Sequence, residues 1–61
     1  MKVYACYLRV QKVEHWEIIS EDVQFMTGSQ EKARNWSRGD SKYSDDHYFY
    51  YTTYYREFEL Q

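Results

Sequence analysis

The sequence contains no proline, only two glycines and a single cysteine among its 61 residues. One cysteine excludes an internal disulfide framework, and a structural zinc would need about four ligands, drawn from Cys6, two histidines and scattered carboxylates. Cys6 lies in the apolar run VYACYLRV, which predicts a buried small side chain rather than a reactive thiol. The two glycines stand apart, which excludes a glycine-rich phosphate loop. We therefore expect no metal site and no cofactor.

Long apolar runs are also missing. The longest has fewer than about ten residues and is broken by Arg9, whereas a membrane-spanning helix needs roughly 18–20. The N-terminal segment lacks the sustained apolar region and the small-residue cleavage site of a signal peptide. Together with the unpaired cysteine, this pattern predicts a cytoplasmic location and no membrane partner.

Basic residues are too few to attract a phosphate backbone at long range. Eight lysines and arginines face ten acidic residues, which gives a net charge of −2. Aromatic residues make up 21% of the chain and include eight tyrosines, so enough apolar area is present for a folded domain. Residues 1–61 are predicted to form a single domain, of a size that often gains stability by association with another chain.

Three segments are predicted to be strands, namely residues 2–13, 15–26 and 47–60, because they are rich in β-branched and aromatic residues. In the first strand the apolar even positions are Tyr4, Cys6, Leu8 and Val10. The second changes parity between Ile18 and Val23, which predicts one bulge near residues 20–22. A polar connector is predicted over residues 40–46.

A short helix is predicted over residues 30–38, with Ser29 as its N-cap and Gly39 in a left-handed conformation after its last turn. Ala33 and Trp36 lie three residues apart and share the face that would cover the sheet. The predicted fold is α+β with ββαβ order. A three-stranded antiparallel sheet, with the first strand in the middle, carries one helix on one face and makes a two-layer domain.

The last strand decides which tyrosines point away from the helix. Phe58 and Leu60 alternate with Glu57 and Glu59, which predicts that even positions face the core. The expected core therefore contains Cys6, Leu8, Trp36, Phe58 and Leu60. The predicted partner-binding residues are Tyr7, Phe49, Tyr51 and Tyr55, which would form one aromatic patch with Val3 opposite the helix.

No catalytic residues are predicted, because no nucleophile, base and orienting group can be named together. The best cluster is formed by Asp40, Asp45, Asp46 and His47, and its spacing matches no metal-binding motif, so a solvated turn is expected. His15 lies in a predicted turn, and an exposed histidine is expected there. The chain is therefore predicted not to be an enzyme.

Two functions remain. The aromatic patch favours a protein-interaction module that binds either a second copy, as a homodimer, or a larger protein partner. The alternative is a single-stranded nucleic-acid-binding module that stacks bases on the tyrosines, although nearby glutamates dilute its few basic residues. A third interpretation is that the tyrosines only stabilise the sheet as cross-strand pairs.

In size, acidity and layout the chain resembles the small phage-encoded proteins that inactivate host enzymes or defence systems, including the anti-CRISPR class. The resemblance is one of overall style and extends to no motif and no individual residue. It implies an inhibitor that binds a larger host protein.

Overall fold

The computed structural model describes residues 1–39 and 41–60. Within these residues the elements are β1 (Lys2–Lys12), β2 (Glu17–Thr27), α1 (Gln30–Arg38), β3 (Lys42–Tyr43) and β4 (Phe49–Glu59). The strands form one antiparallel sheet in the order β2-β1-β4-β3, so β1 lies between β2 and β4 as predicted. The small α+β fold is confirmed, but the described sheet has four strands where three were predicted.

The additional strand, β3, lies in the segment predicted to be a connector. Lys42 and Tyr43 pair with Tyr51 and Tyr50, and Ser44 closes the hairpin by donating its N–H to the carbonyl of Phe49 at 2.8 Å. Two paired residues are too few to produce a period-two pattern in the sequence, and the surrounding serines and aspartates favour turns. Asp40, the first residue of that connector, lies outside the described residues, as does Gln61.

The helix occupies the predicted residues. The Ser29 hydroxyl accepts a hydrogen bond from the N–H of Lys32 at 3.3 Å, which satisfies one of the free donors in the first turn. The prediction for Gly39 was wrong, because its φ is −77° and its ψ is 58°. Its N–H reaches the carbonyls of Asn35 and Trp36, so the helix closes without a left-handed residue.

The core lies between α1 and the sheet and is small. Four described side chains are buried: those of Tyr4, Cys6 and Ala33 lie between α1 and the sheet, and that of Ala5 lies on the opposite side of β1. Trp36 packs against this cluster, meets Phe25 edge to face at 5.3 Å, and donates its indole N–H to the carbonyl of Tyr7 at 2.9 Å. The predicted roles of Cys6, Ala33 and Trp36 in joining helix to sheet are therefore confirmed.

The predicted register of the last strand was wrong by one residue. Cys6 lies opposite Tyr55, and Tyr55 packs against the core, so the odd positions of β4 face the helix. Phe58 and Leu60, predicted to be core residues, are 43% and 51% exposed.

The cause of this error lies at the end of β4. Glu57 is close to the ammonium of Lys2 at 3.8 Å, and Glu59 is close to the N-terminal amine at 3.5 Å. On the helix side, this end of β4 is exposed to solvent. Glu57 and Glu59 therefore lie on the helix side, although their alternation with Phe58 and Leu60 predicted that they lie on the other face.

β2 contains two register shifts, where one bulge was predicted. Val10 and Gln11 pair with Ser20 and Ile18, which leaves Ile19 unpaired, and a second shift leaves Gln24 unpaired. Each extra residue moves the following side chains to the other face of the sheet. As a result Ile18 and Val23 face away from the helix, while Phe25 faces Trp36.

The side of the sheet opposite α1 is here termed the open face. Its residues are Val3, Ala5, Tyr7, Arg9 and Gln11 of β1, Ile18, Glu21, Val23 and Met26 of β2, Tyr43 of β3, and Tyr50, Thr52, Tyr54, Arg56 and Phe58 of β4. Within residues 1–39 and 41–60, α1 packs on the other side and the remaining segments are turns at the strand ends. The molecule is a thin slab with principal extents of 41 × 19 × 12 Å.

Candidate interaction surface

The centre of the open face is a stack of two tyrosines between two arginines. Tyr7 and Tyr54 are opposite each other in the β1–β4 register, and their rings are parallel with centroids 4.9 Å apart. The guanidinium of Arg9 lies 5.1 Å from the Tyr54 ring, and that of Arg56 lies 5.6 Å from the Tyr7 ring. Such distances are typical of cation–π contacts. Tyr7, Tyr54, Arg9 and Arg56 are here called the tyrosine–arginine stack.

One of the two arginines is neutralised within the chain. Arg9 donates a hydrogen bond to the carboxylate of Glu21, which lies opposite it on β2. This bond lowers the pKa of Glu21 and raises the pKa of Arg9, so both groups stay charged together. Arg56 is exposed, and among the described residues it has no carboxylate within salt-bridge distance. The stack therefore presents one unneutralised cation.

The Tyr54 hydroxyl is buried beside the Arg9–Glu21 pair. Among the described residues it has no hydrogen-bond partner of normal geometry. Burial and then the nearby Glu21 carboxylate raise the pKa of Tyr54, so the phenol remains protonated. Because this hydroxyl is neutral and covered, the ring of Tyr54, rather than its polar tip, is the feature of the open face.

A second aromatic group, here called the tryptophan cluster, lies at the β1–β2 turn end of the open face. It consists of Trp16, Tyr43 and Tyr50, which come from that turn, from β3 and from β4. Trp16 meets Tyr50 edge to face at 5.5 Å and Tyr43 at 6.5 Å, and Tyr43 meets Tyr50 at 4.9 Å. About half of the surface of Trp16 and of Tyr43 stays exposed. Edge-to-face contacts thus hold these rings in place while leaving them accessible.

The backbone beside the tryptophan cluster is in an unusual conformation. Trp16 has a φ of 55° and His47 a φ of 61°, values in the left-handed region that large side chains rarely adopt. The amide of Gln11 donates to the carbonyl of Trp16 at 3.1 Å, and the His47 N–H donates to the carbonyl of Ser44 at 2.9 Å. Strain of this kind is concentrated at functional sites, where surrounding contacts maintain it.

Large apolar side chains extend along the rest of the open face. Ile18, Val23, Met26 and Phe58 are each between 43% and 59% exposed. Single exposed apolar residues are ordinary on any surface, whereas several on one sheet face form a patch. The open face therefore combines aromatic rings, aliphatic side chains and one free cation.

The four predicted partner-binding residues do not lie on one face. Tyr7 is on the open face, but Phe49, Tyr51 and Tyr55 are on the helix side. Tyr55 packs against Tyr4 at 5.8 Å, whereas Tyr51 and Phe49 lie farther along β4, opposite Val10 and Lys12. The expectation of a single aromatic patch built from these four side chains was wrong, because it depended on the wrong parity of β4.

Tyr54, Tyr50 and Arg56 were not predicted on the open face, for the same reason. One signal could have corrected it. Lys2 has the same parity as the buried even positions of β1, so it lies on the helix side. Pairing Lys2 with Glu57 and Glu59 therefore places the odd residues of β4 on the helix side as well. Trp16 had been assigned to a strand, and no sequence pattern predicted its contact with Tyr43.

The chemistry available to the described residues is limited. Within residues 1–39 and 41–60, no three histidine, cysteine, aspartate or glutamate side chains converge as a metal site would require. Cys6 is fully buried, and burial raises the pKa of its thiol, which disfavours the nucleophilic thiolate. Asp46 accepts hydrogen bonds from the Ser44 hydroxyl and the Tyr48 N–H, which lower its pKa and give it a structural role in the turn.

A shallow polar depression runs along the outer flank of α1. It is lined by Gln30, Glu31, Arg34, Asn35 and Arg38, all from the one helix. Both signs of charge alternate there, as they do on ordinary solvated helix surfaces. It offers no convergent set of groups for a ligand, so the open face is the stronger candidate.

Comparison with protein families, with curated proteins and with solved structures finds no match to this chain. The functional argument therefore rests on the geometry of the open face.

Proposed function

We propose that this chain is a non-catalytic protein-binding module that docks through its open face, either on a second copy or as an inhibitor of a larger protein. The observation that carries the proposal is an entire sheet face with no second layer of described residues over it and with large apolar side chains about half exposed. Such patches on small proteins are typical of interaction surfaces.

The composition of the open face supports protein binding. Tyrosine, tryptophan, methionine and arginine are enriched at protein interfaces, and truncating the most important of them typically weakens binding by about 2 kcal/mol or more. The tyrosine–arginine stack and the tryptophan cluster hold their rings by mutual contacts, so little side-chain entropy is lost on docking.

Electrostatics are compatible with burial of this face. A buried unpaired charge is costly, but Arg9 and Glu21 already neutralise each other before any partner arrives. Arg56 lies on β4 beyond the two residues paired with β3, and its guanidinium extends over the ring of Tyr7 on β1. We expect a partner either to place an acceptor group near this guanidinium or to leave it in contact with water.

Single-stranded nucleic-acid binding is the second candidate, favoured by the two arginines beside two tyrosines on one sheet face. Two features weaken it. Tyr7 and Tyr54 stack on each other, which occupies the ring faces a base would use, and Arg9 is paired with Glu21.

A cytoplasmic location is part of the proposal and is supported by the free, buried Cys6. Among residues 1–39 and 41–60, no helix has the length and apolar character needed to cross a membrane.

The test is affinity capture with tagged chain from extracts of the native host. Val23→Lys places a charge on the open face, whereas Ser20→Lys places the same charge on the same strand but on the helix side, opposite Val10. We expect the parent chain and Ser20→Lys to capture the same protein, and Val23→Lys to fail to capture it. The captured protein can be an untagged copy of this chain.

Equal capture by Val23→Lys, or no protein above the blank resin, would contradict the proposal. Capture that nuclease treatment abolishes would favour the nucleic-acid candidate instead. The melting curve of each variant is recorded first, so that loss of binding is not confused with loss of folding.

A further inference from the structure

We infer that the occupant of the open face is a second copy of this chain, packed face to face about a two-fold axis, with the two sheets inside and the two helices outside. This inference rests on the proposed function, because it uses the same surface and names the partner. Three features of the molecule support it, and the charge of the open face opposes it only weakly.

The first feature is the shape. The Cα radius of gyration is 13.0 Å, whereas a compact chain of this length has about 10.5 Å. Its thinnest extent, 12 Å, corresponds to one sheet with one thin covering layer. The isolated chain is therefore flatter than self-contained domains usually are.

Pairing two copies through their open faces removes most of this discrepancy. If the two sheets are about 10 Å apart, the centres of the two chains are about 12 Å apart. Two chains that each have a radius of gyration of 13.0 Å then form a dimer with a radius of gyration of about 14 Å. A compact protein with twice as many residues has a radius of gyration of about 13.7 Å. The face-to-face dimer thus has the compactness that the single chain lacks.

The second feature is the available area. The two longer extents of the molecule, 41 and 19 Å, limit the projected area of the open face to roughly 780 Å², and a stable interface of standard size buries about 600–1,000 Å² per partner. The face is therefore large enough for a stable dimer.

The third feature is the small core of the single chain, which has four buried side chains among the described residues. A face-to-face dimer adds Tyr7, Val23, Met26 and Phe58 to a second apolar layer between the sheets. Packed sheets align within about 30°, which the twist of each sheet allows. A domain of this size often gains its missing stability by such association.

The charge of the open face opposes this pairing only weakly. Among its described residues each open face carries two arginines and one glutamate, a net charge of one positive unit, with Arg9 and Glu21 already paired. Two such faces repel each other weakly. The outer edge of β2 is a poorer site for a second copy, because bulges at Ile19 and Gln24 interrupt it.

The test is small-angle X-ray scattering with sedimentation equilibrium on the purified full chain over a concentration series. We expect twice the chain mass with a radius of gyration near 14 Å. Val23→Lys and Met26→Lys should weaken dimerisation at least tenfold, while Ser20→Lys should not change it. Two open-face variants are used so that a folding defect in one still leaves a test.

A chain that stays monomeric at millimolar concentration would overturn the inference. A dimer with a radius of gyration near 16 Å would also overturn it, because two chains about 19 Å wide that pair side by side would have that radius of gyration. If the chain is monomeric but the host capture experiment still depends on Val23, the inference alone fails and the proposed function stands.

Discussion

Trp36 joins α1 to the sheet by packing and by one hydrogen bond. Its ring contacts Phe25 and its indole N–H donates to the carbonyl of Tyr7. We expect Trp36→Ala to lower the free energy of unfolding by about 3 kcal/mol, the lower end of the range for large aromatic residues, because the ring is only partly buried. Denaturant unfolding at one fixed protein concentration measures this change.

The control for Trp36 is the other tryptophan. Trp16 is 48% exposed in the tryptophan cluster, so Trp16→Ala should cost clearly less stability than Trp36→Ala. If Trp36→Ala were as stable as the parent, or if the two variants were equally destabilised, the packing of α1 on the sheet described above would be wrong.

At the level of single residues, the sequence predicted side chains well where local chemistry decided their place. Ser29 was predicted as the N-cap because its hydroxyl can reach the N–H of a residue in the first turn, and it does. Tyr54 and Tyr55 could not be assigned to faces in this way. Their orientation depends on pairing with β1, which lies far away in the chain.

The two bulges of β2 determine which of its side chains meet the helix. Deleting Gln24, the unpaired residue between Val23 and Phe25, would join these two residues directly and leave them opposite Tyr7 and Cys6, so Phe25 would stay on the helix side. We expect this deletion to lower the free energy of unfolding by less than about 1 kcal/mol, because Trp36 keeps its contact with Phe25.

Gln24→Ala is the matched control for the deletion, since it keeps the bulge and removes only the side chain. It should change the free energy of unfolding by less than about 0.5 kcal/mol, as is usual for exposed positions. A deletion variant that loses about 3 kcal/mol, as Trp36→Ala is expected to, would show that Phe25 had left the helix side and would contradict the register of β2.

Among the elements, the helix and the three long strands were predictable, because each has its own periodicity or cap. The two-residue strand β3 was not, since its pairing with Tyr50 and Tyr51 leaves no pattern in the sequence. The parity of β4 was determined by no local pattern, because no tight turn joins β1 to β4, and only the opposite charges of Lys2, Glu57 and Glu59 indicated it. A hairpin loop would have determined the register.

The whole molecule is a thin slab with two different sides. One side has α1 and the small core around Cys6, and the other has the tyrosine–arginine stack and the tryptophan cluster. The candidate site predicted from sequence shared only Tyr7 with the open face. Its general character, an aromatic sheet face opposite the helix, matches the structure, although most of its residues come from the other parity of β4.

Oxidation of the two methionines by dilute peroxide tests the central claim, that the open face is occupied by another chain, most directly. Met26 lies on the open face and is 59% exposed, while Met1 is 83% exposed at the chain terminus and serves as the internal reference. Exposed methionines convert readily to sulfoxide. The account predicts that Met26, read by peptide mass spectrometry, becomes protected relative to Met1 as chain concentration rises. Equal oxidation of both methionines at every concentration would contradict it.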